Sequence, residues 1–199
     1  MLSKSRIASR FLLFALLTTT GARVGAQSAV AAPSDNFASF AGDWTGQLEY
    51  RDYTSNERVF LPTWLKISEA ADHRSLTYSY VYDDGPTKTV REHVTLALDP
   101  AARKATLTDL GATSASKSTI STYDVSGLDE FAKTGRGVLK LTGPGMDDDK
   151  RVEVRLTITL RRNLYTQRKE IRPAGSTDEK DFQFRDGYTF TRAQAPAAP

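Results

Sequence analysis

The sequence predicts an all-β protein, a single antiparallel up-and-down barrel of about 8–10 strands. Three observations predict it. Apolar and polar residues alternate in run after run, turn residues recur at short intervals between the runs, and no stretch carries a helical period. A meander whose strands each have one apolar face can form two sheets or close on itself, and only closure removes the exposed edges.

The first 26 residues read as a cleaved Sec-type signal peptide. Lys4, Arg6 and Arg10 form the positive start, Phe11 to Leu17 the apolar stretch, and Val24-Gly25-Ala26 the small residues of a cleavage site. Ala29-Val30-Ala31 is a second such site, so cleavage is expected after Ala26 or Ala31. A membrane span needs about 20 apolar residues. Here the run breaks at Thr18-Thr19-Thr20-Gly21, so no transmembrane segment is expected in the mature protein. The chain has no cysteine, which excludes a lipid-anchored lipoprotein, thiol chemistry and cysteine-built zinc sites. The expected location is periplasmic or secreted. Residues 27–35 form an Ala/Ser/Pro leader and 193–199 an Ala/Pro tail, both expected to be disordered, with the barrel spanning 36–192.

Within the barrel, Trp44, Gly46, Leu48 and Tyr50 share one face of the first run. Val59 to Ser68 follows, with Pro62 suggesting a bulge or an edge. Leu76, Tyr78, Tyr80 and Tyr82 alternate in the third run, and Asp83-Asp84-Gly85-Pro86 turns into a fourth. That fourth strand carries Val90, Glu92, Val94, Leu96 and Leu98 on one face and ends at Asp99-Pro100. Further strands are expected at Lys104 to Leu110, Ser118 to Val125 and Gly137 to Leu141, followed by a loop through Gly143-Pro144-Gly145 to a solvated tip at Asp147-Asp148-Asp149. In Arg151 to Arg161 the residues Val152, Val154, Leu156, Ile158 and Leu160 point one way, and Leu164 to Ile171 follows. Phe182 to Arg192 closes the domain as one long strand, with Asp186-Gly187 as a glycine bulge rather than a hairpin turn.

Charge argues against nucleic acid. Lys4, Arg6, Arg10 and Arg23 leave with the signal, so the mature chain has 23 basic and 24 acidic side chains, and the high isoelectric point belongs to the precursor. The last strands are nevertheless basic, through Arg155, Arg161, Arg162, Arg168, Lys169 and Arg172. Such residues form a solvated face that deters edge pairing, or else a mouth that attracts an anionic ligand.

The stretch Asn36-Phe37-Ala38-Ser39-Phe40-Ala41-Gly42-Asp43-Trp44 resembles the N-terminal motif of the lipocalins, and Gly46 extends it to the Gly-x-Trp-x-Gly of nitrobindin-like barrels. Arg192, in Tyr188-Thr189-Phe190-Thr191-Arg192, is similar to the arginine that packs over that tryptophan in the calycin superfamily. The resemblance implies a lipocalin-like barrel of a divergent bacterial branch, with Gly42, Trp44 and Arg192 as its floor. It departs from secreted lipocalins in having no Thr-Asp-Tyr motif, no disulfide and no helix after the barrel.

A barrel of that kind holds an apolar or amphipathic molecule at its open end. The candidate ligand-binding residues are Tyr78, Tyr80 and Tyr82, which present three hydroxyls on one face, and Glu92, a carboxylate on an apolar face that must be paired or protonated if buried. The bland reading of the same residues is core packing and a solvated strand end. No cofactor is expected: the chain has two histidines, and neither His73, in a turn, nor His93, opposite Glu92, sits where the resemblance would put a haem ligand. No metal site is expected, since Asp147-Asp148-Asp149 lacks the spacing of a calcium loop. Catalytic motifs are absent too: there is no Gly-x-Ser-x-Gly, no His-Glu-x-x-His and no phosphate-binding glycine loop. The leading expectation is therefore a non-catalytic barrel for a small hydrophobic or amphipathic ligand. A packed barrel acting through a protein partner comes next, then an enzyme using Glu92 as acid or base. Oligomeric state is left open.

Overall fold

A computed structural model describes residues 37–52, 54–111 and 118–194. The expected signal peptide, the leader, Asn36 and residues 195–199 of the tail lie outside the described residues. Ten strands follow one another: β1 (Gly42–Arg51), β2 (Arg58–Glu69), β3 (Ser75–Asp83), β4 (Thr89–Asp99), β5 (Lys104–Asp109), β6 (Thr119–Ser126), β7 (Gly137–Asp147), β8 (Lys150–Leu160), β9 (Leu164–Pro173) and β10 (Gln183–Arg192). Each pairs antiparallel with its sequence neighbours, and β10 pairs back onto β1 to close the barrel. The closing register sets Trp44 opposite Arg192 and Leu48 opposite Tyr188.

Alternation along each strand explains the core. On β3, Leu76, Tyr78, Tyr80 and Tyr82 are buried; on β8, so are Val152, Val154, Leu156, Ile158 and Leu160. The residues between them face outward, as Glu153 and Arg155 do on β8. Two prolines sit inside strands without breaking the barrel. Pro62 lies opposite Gln47 of β1, while pairing of β2 with β3 starts one residue later at Thr63, so the proline occupies an edge-like position and causes no register shift in either pairing. Pro144 is the second. The loop expected at Gly143-Pro144-Gly145 is instead part of β7, opposite Val154, Glu153 and Val152. Ladder pairing of β6 with β7 covers only Asp124–Ser126 against Lys140–Thr142, which leaves Pro144 with a single paired neighbour strand.

One helix departs from the expected all-strand pattern: α1 (Leu128–Thr134), between β6 and β7. Its signal lies in the sequence. Leu128 and Phe131 fall on one face, Asp129 and Glu130 occupy the first turn, Lys133 the last, and Gly135 closes it with its N–H donated to the Phe131 carbonyl. Seven residues are too few for a period to stand out.

α1 helps to seal one end of the barrel. Phe131 stacks on Phe37 and Phe40 of a 3-10 turn (Phe37–Phe40), with ring centroids 5.9 and 5.0 Å apart, and Phe40 meets the edge of Tyr165. Trp44, 1% exposed, lies 5.9 Å from Tyr165 and donates its indole N–H to the Phe40 carbonyl at 3.0 Å. The Arg192 guanidinium sits 4.2 Å from the Trp44 ring and donates to the carbonyls of Ala41 (2.8 Å) and Ser39 (2.9 Å). Gly42 has a φ of +136°, and a Cβ there would lie 2.5 Å from an Arg192 nitrogen. At Gly46 a Cβ would stand 1.9 Å from the Thr189 carbonyl oxygen, because the β10 backbone passes directly over it. The Gly-x-Trp-x-Gly spacing thus has a physical account: glycine for the guanidinium, tryptophan for the floor, glycine for the closing strand.

Candidate functional site

Above this aromatic floor the barrel encloses a cavity of about 370 Å³. Its deeper walls are apolar, from Leu96 on β4, Leu107 on β5, and Leu156 and Ile158 on β8. Towards the opposite end, five charged side chains converge from four strands: Glu92 on β4, Asp109 on β5, Lys169 on β9, and Arg185 and Asp186 on β10. Tyrosines from β1, β3, β6 and β10 (Tyr50, Tyr78, Tyr80, Tyr123 and Tyr188) also line it. A volume just above 300 Å³, with apolar walls and a few convergent polar groups, suits a small organic molecule.

Three of the residues proposed from sequence, Tyr78, Tyr80 and Glu92, line this space. The fourth, Tyr82, holds one of them: its hydroxyl donates to a Glu92 carboxylate oxygen at 2.6 Å and lies 2.9 Å from the Tyr188 hydroxyl. The rings of Tyr78, Tyr80 and Tyr82 stack in series along β3, at 6.2 and 5.9 Å, and Tyr188 stacks on Tyr80 at 5.0 Å. Burial holds the hydroxyls of Tyr80 and Tyr188 well above their ordinary pKa, so both stay protonated. Tyr165 donates to Gln167 at 2.9 Å in the deep part of the barrel. Tyr78, 3% exposed, has its ring 6.3 Å from that of Tyr165, and the Tyr165 hydroxyl is the neighbour of its buried hydroxyl.

Burial likewise raises the carboxyl pKa of Glu92. The hydrogen bond from Tyr82 and the charge of Lys169 oppose that rise, while Asp109 and Asp186 reinforce it. Asp186 is also raised, first by burial and then by Asp147, against the pull of Lys169 and Arg185. Its carboxylate lies 3.7 Å from the Lys169 ammonium.

Glu92 is therefore not alone: two carboxylates that the sequence pattern did not place in the site, Asp109 and Asp186, line the same cavity. Asp109 shares its parity with Ala105 and Leu107 on a strand of six residues, too short for the pattern to declare itself. Asp186 was hidden by the dipeptide Asp186-Gly187, which reads as backbone chemistry rather than lining. The expected bulge in the last strand is present, but it falls between Phe184 and Asp186, centred on Arg185. A one-residue bulge reverses the facing of everything beyond it. Phe184 thereby sits on the outer wall beneath Arg168, 4.8 Å away. Arg185 reaches the mouth, where it donates to Asp147 at 3.1 Å and to the Arg51 carbonyl. Asp147 is accordingly not part of a solvated tip: its side chain is 12% exposed and ion-paired to Arg185.

The basic last strands divide between the two faces. Arg155 pairs with Glu170 at 2.9 Å and lies over the Phe182 ring, Arg172 pairs with Glu153 at 2.7 Å, and Arg168 pairs with Glu170 at 3.1 Å, all on the outer wall. Lys169 alternates inward with Tyr165, Gln167 and Ile171. The basic charge of the last strands is thus mostly outside and neutralised, and the cavity itself is acidic. His93 contacts Ser79 at 3.1 Å and His73 lies 3.3 Å from Glu69; neither lines the cavity. Among the described residues no group of three His, Cys, Asp or Glu is placed to hold a metal ion.

No family model matches the chain, and no curated protein matches it. Two solved structures are similar over most of its length. One is a protein of unknown function from the DUF3598 family of Nostoc punctiforme PCC 73102, with 8% identity, 79% of this chain and 98% of that chain covered, and a TM-score of 0.20. The other, from Bacteroides fragilis NCTC 9343, is provisionally described as an outer membrane protein, with 9% identity, 80% and 99% coverage, and a TM-score of 0.21. Among the described residues no helix is long and apolar enough to cross a membrane.

Proposed function

We propose that this chain is an exported, non-catalytic barrel of the calycin kind that holds a small amphipathic molecule in the cavity above its aromatic floor. The observation that carries the reading is the cavity itself: about 370 Å³, apolar at depth and polar towards the mouth, with buried ionisable groups the fold does not need. A barrel meant only to be stable would fill this space with branched apolar side chains. Buried Glu92 and Asp186 cost stability instead, which is the usual mark of a site kept for binding. The Gly42, Trp44 and Arg192 arrangement supports the calycin reading. The test is native mass spectrometry of the mature protein purified from its own envelope, compared with its denatured mass. An added non-covalent mass is expected; bare protein from several preparations would favour the packed barrel acting through a protein partner.

One observation favours a second reading. Glu92, with its raised pKa and a tyrosine hydroxyl 2.6 Å away, has the environment of a general acid. Any turnover found for this protein should then follow a pH–rate profile that Glu92→Gln abolishes.

A further inference from the structure

We propose that the occupant of the cavity is a protonated amphipathic amine, with its ammonium group among Glu92, Asp109 and Asp186 and its apolar chain directed towards Leu96, Leu156 and Ile158. This rests on the reading of the barrel as a small-molecule binder and names the chemistry of what it binds.

Charge balance is the first argument. Three carboxylates line the cavity, and the two cations beside them are Lys169 and Arg185. Arg185 is ion-paired to Asp147, so among the described residues lining the cavity the carboxylates outnumber the cations. Carboxylates gathered behind low-dielectric walls attract a cation and repel an anion. In the empty cavity a proton can relieve the excess, and an ammonium group would replace that proton.

Hydrogen-bond chemistry is the second. An ammonium group offers three donors and no acceptor; ionised carboxylates offer only acceptors, and tyrosine oxygens can accept as well. The third argument is independent of charge: the part of the cavity away from these groups is walled by Leu96, Leu107, Leu156 and Ile158, which suits an apolar chain.

The groups facing Glu92 come from every neighbouring strand: Tyr80 and Tyr82 from β3, Asp109 from β5, Lys169 from β9, and Asp186 and Tyr188 from β10. Because burial holds Glu92 and Asp186 above the ordinary carboxylate range, a cation competes with protons for them. Its affinity should therefore rise with pH.

Isothermal titration of the mature protein with octylamine, octanol and octanoate tests this, at pH 5 and again at pH 8. Octylamine, charged at both values, is expected to bind about tenfold or more tighter than either of the others, and tighter at pH 8 than at pH 5. Glu92→Gln and Asp186→Asn, each checked for a native circular-dichroism spectrum, should bring the amine-to-alcohol preference towards unity. Octanol or octanoate binding as well as the amine would overturn the charge assignment while leaving the cavity a binding site. If none of the three binds, both the assignment and the reading beneath it fall.

Discussion

Glu92 is held between a tyrosine that stabilises its anion and a barrel interior that disfavours it, and burial outweighs the hydrogen bond. A carboxyl whose pKa is raised by folding binds its proton more tightly in the native chain than in the unfolded one. Its contribution to stability is therefore complete below the ordinary carboxylate range and is lost as pH rises through the raised value. Glu92→Gln, which keeps an acceptor for Tyr82, is expected to melt above the parent protein at pH 8 and close to it at pH 4. A lower melting temperature at pH 8 would mean that the charged hydrogen bond outweighs burial. At the floor the direction is opposite. Trp44→Ala should cost about 3–5 kcal/mol in denaturant unfolding, and a loss below about 1 kcal/mol would remove Trp44 from its role as the plug. Gly46→Ala forces a methyl into the β10 backbone, 1.9 Å from an oxygen, and is expected to cost about 2–3 kcal/mol or more without altering the cavity lining.

At the scale of elements, the informative feature is the bulge in β10. It lets a single strand keep Tyr188 and Phe190 in the core, set Asp186 in the cavity wall, bring Arg185 to the mouth and seat Phe184 outside under Arg168. Deleting Arg185 restores regular pairing, keeps Phe184 opposite Glu170 on the outer wall and Asp186 opposite Lys169, and removes the guanidinium that frames the mouth with Asp147. The deletion variant is expected to fold, because the closing register of Trp44 to Tyr50 against β10 lies beyond the bulge. With one cation fewer at the mouth, it should bind octylamine more tightly in the same titration. Unchanged affinity would show that the bulge does not shape the mouth. α1 acts at the other end: a short helix between β6 and β7 brings Phe131 onto Phe40.

For the molecule as a whole, the open cavity with its buried carboxyls gives up stability that a solidly packed barrel would keep. A ligand that binds the native state alone restores it by mass action. Octylamine at a hundred times its dissociation constant should add about 2.7 kcal/mol, or roughly 5–11 °C in melting temperature for a domain of this size. Thermal melts over a concentration series would check both the size and the saturation of the shift. A shift of equal size with octanoate would point to surface adsorption or to an uncharged site.

Much of this was legible in the chain. Period-two alternation identified nine of the ten strands close to their observed positions, and Trp44, Gly46 and Arg192 marked the two strands that meet to close the barrel. Those features are local, or repeat often enough to be read without neighbours. The tyrosine stripe and Glu92 were visible for the same reason, since parity alone assigns a side chain to a face. Asp109, Lys169 and Asp186 were not, although each obeys the same parity: one lies on a six-residue strand, one among arginines that face outward, and one beside a bulge that resets the alternation. The length of β7 was also missed, because a Gly-Pro-Gly sequence reads as a turn unless its second neighbour strand is known to be unpaired there. The sequence by itself determined that the strands alternate, that they form a closed meander and that one end carries a tryptophan plug. Only the tertiary structure decided that the interior is acidic rather than basic, because which charges share an enclosed volume depends on the register of strands far apart in sequence, and one bulge is enough to exchange inside for outside.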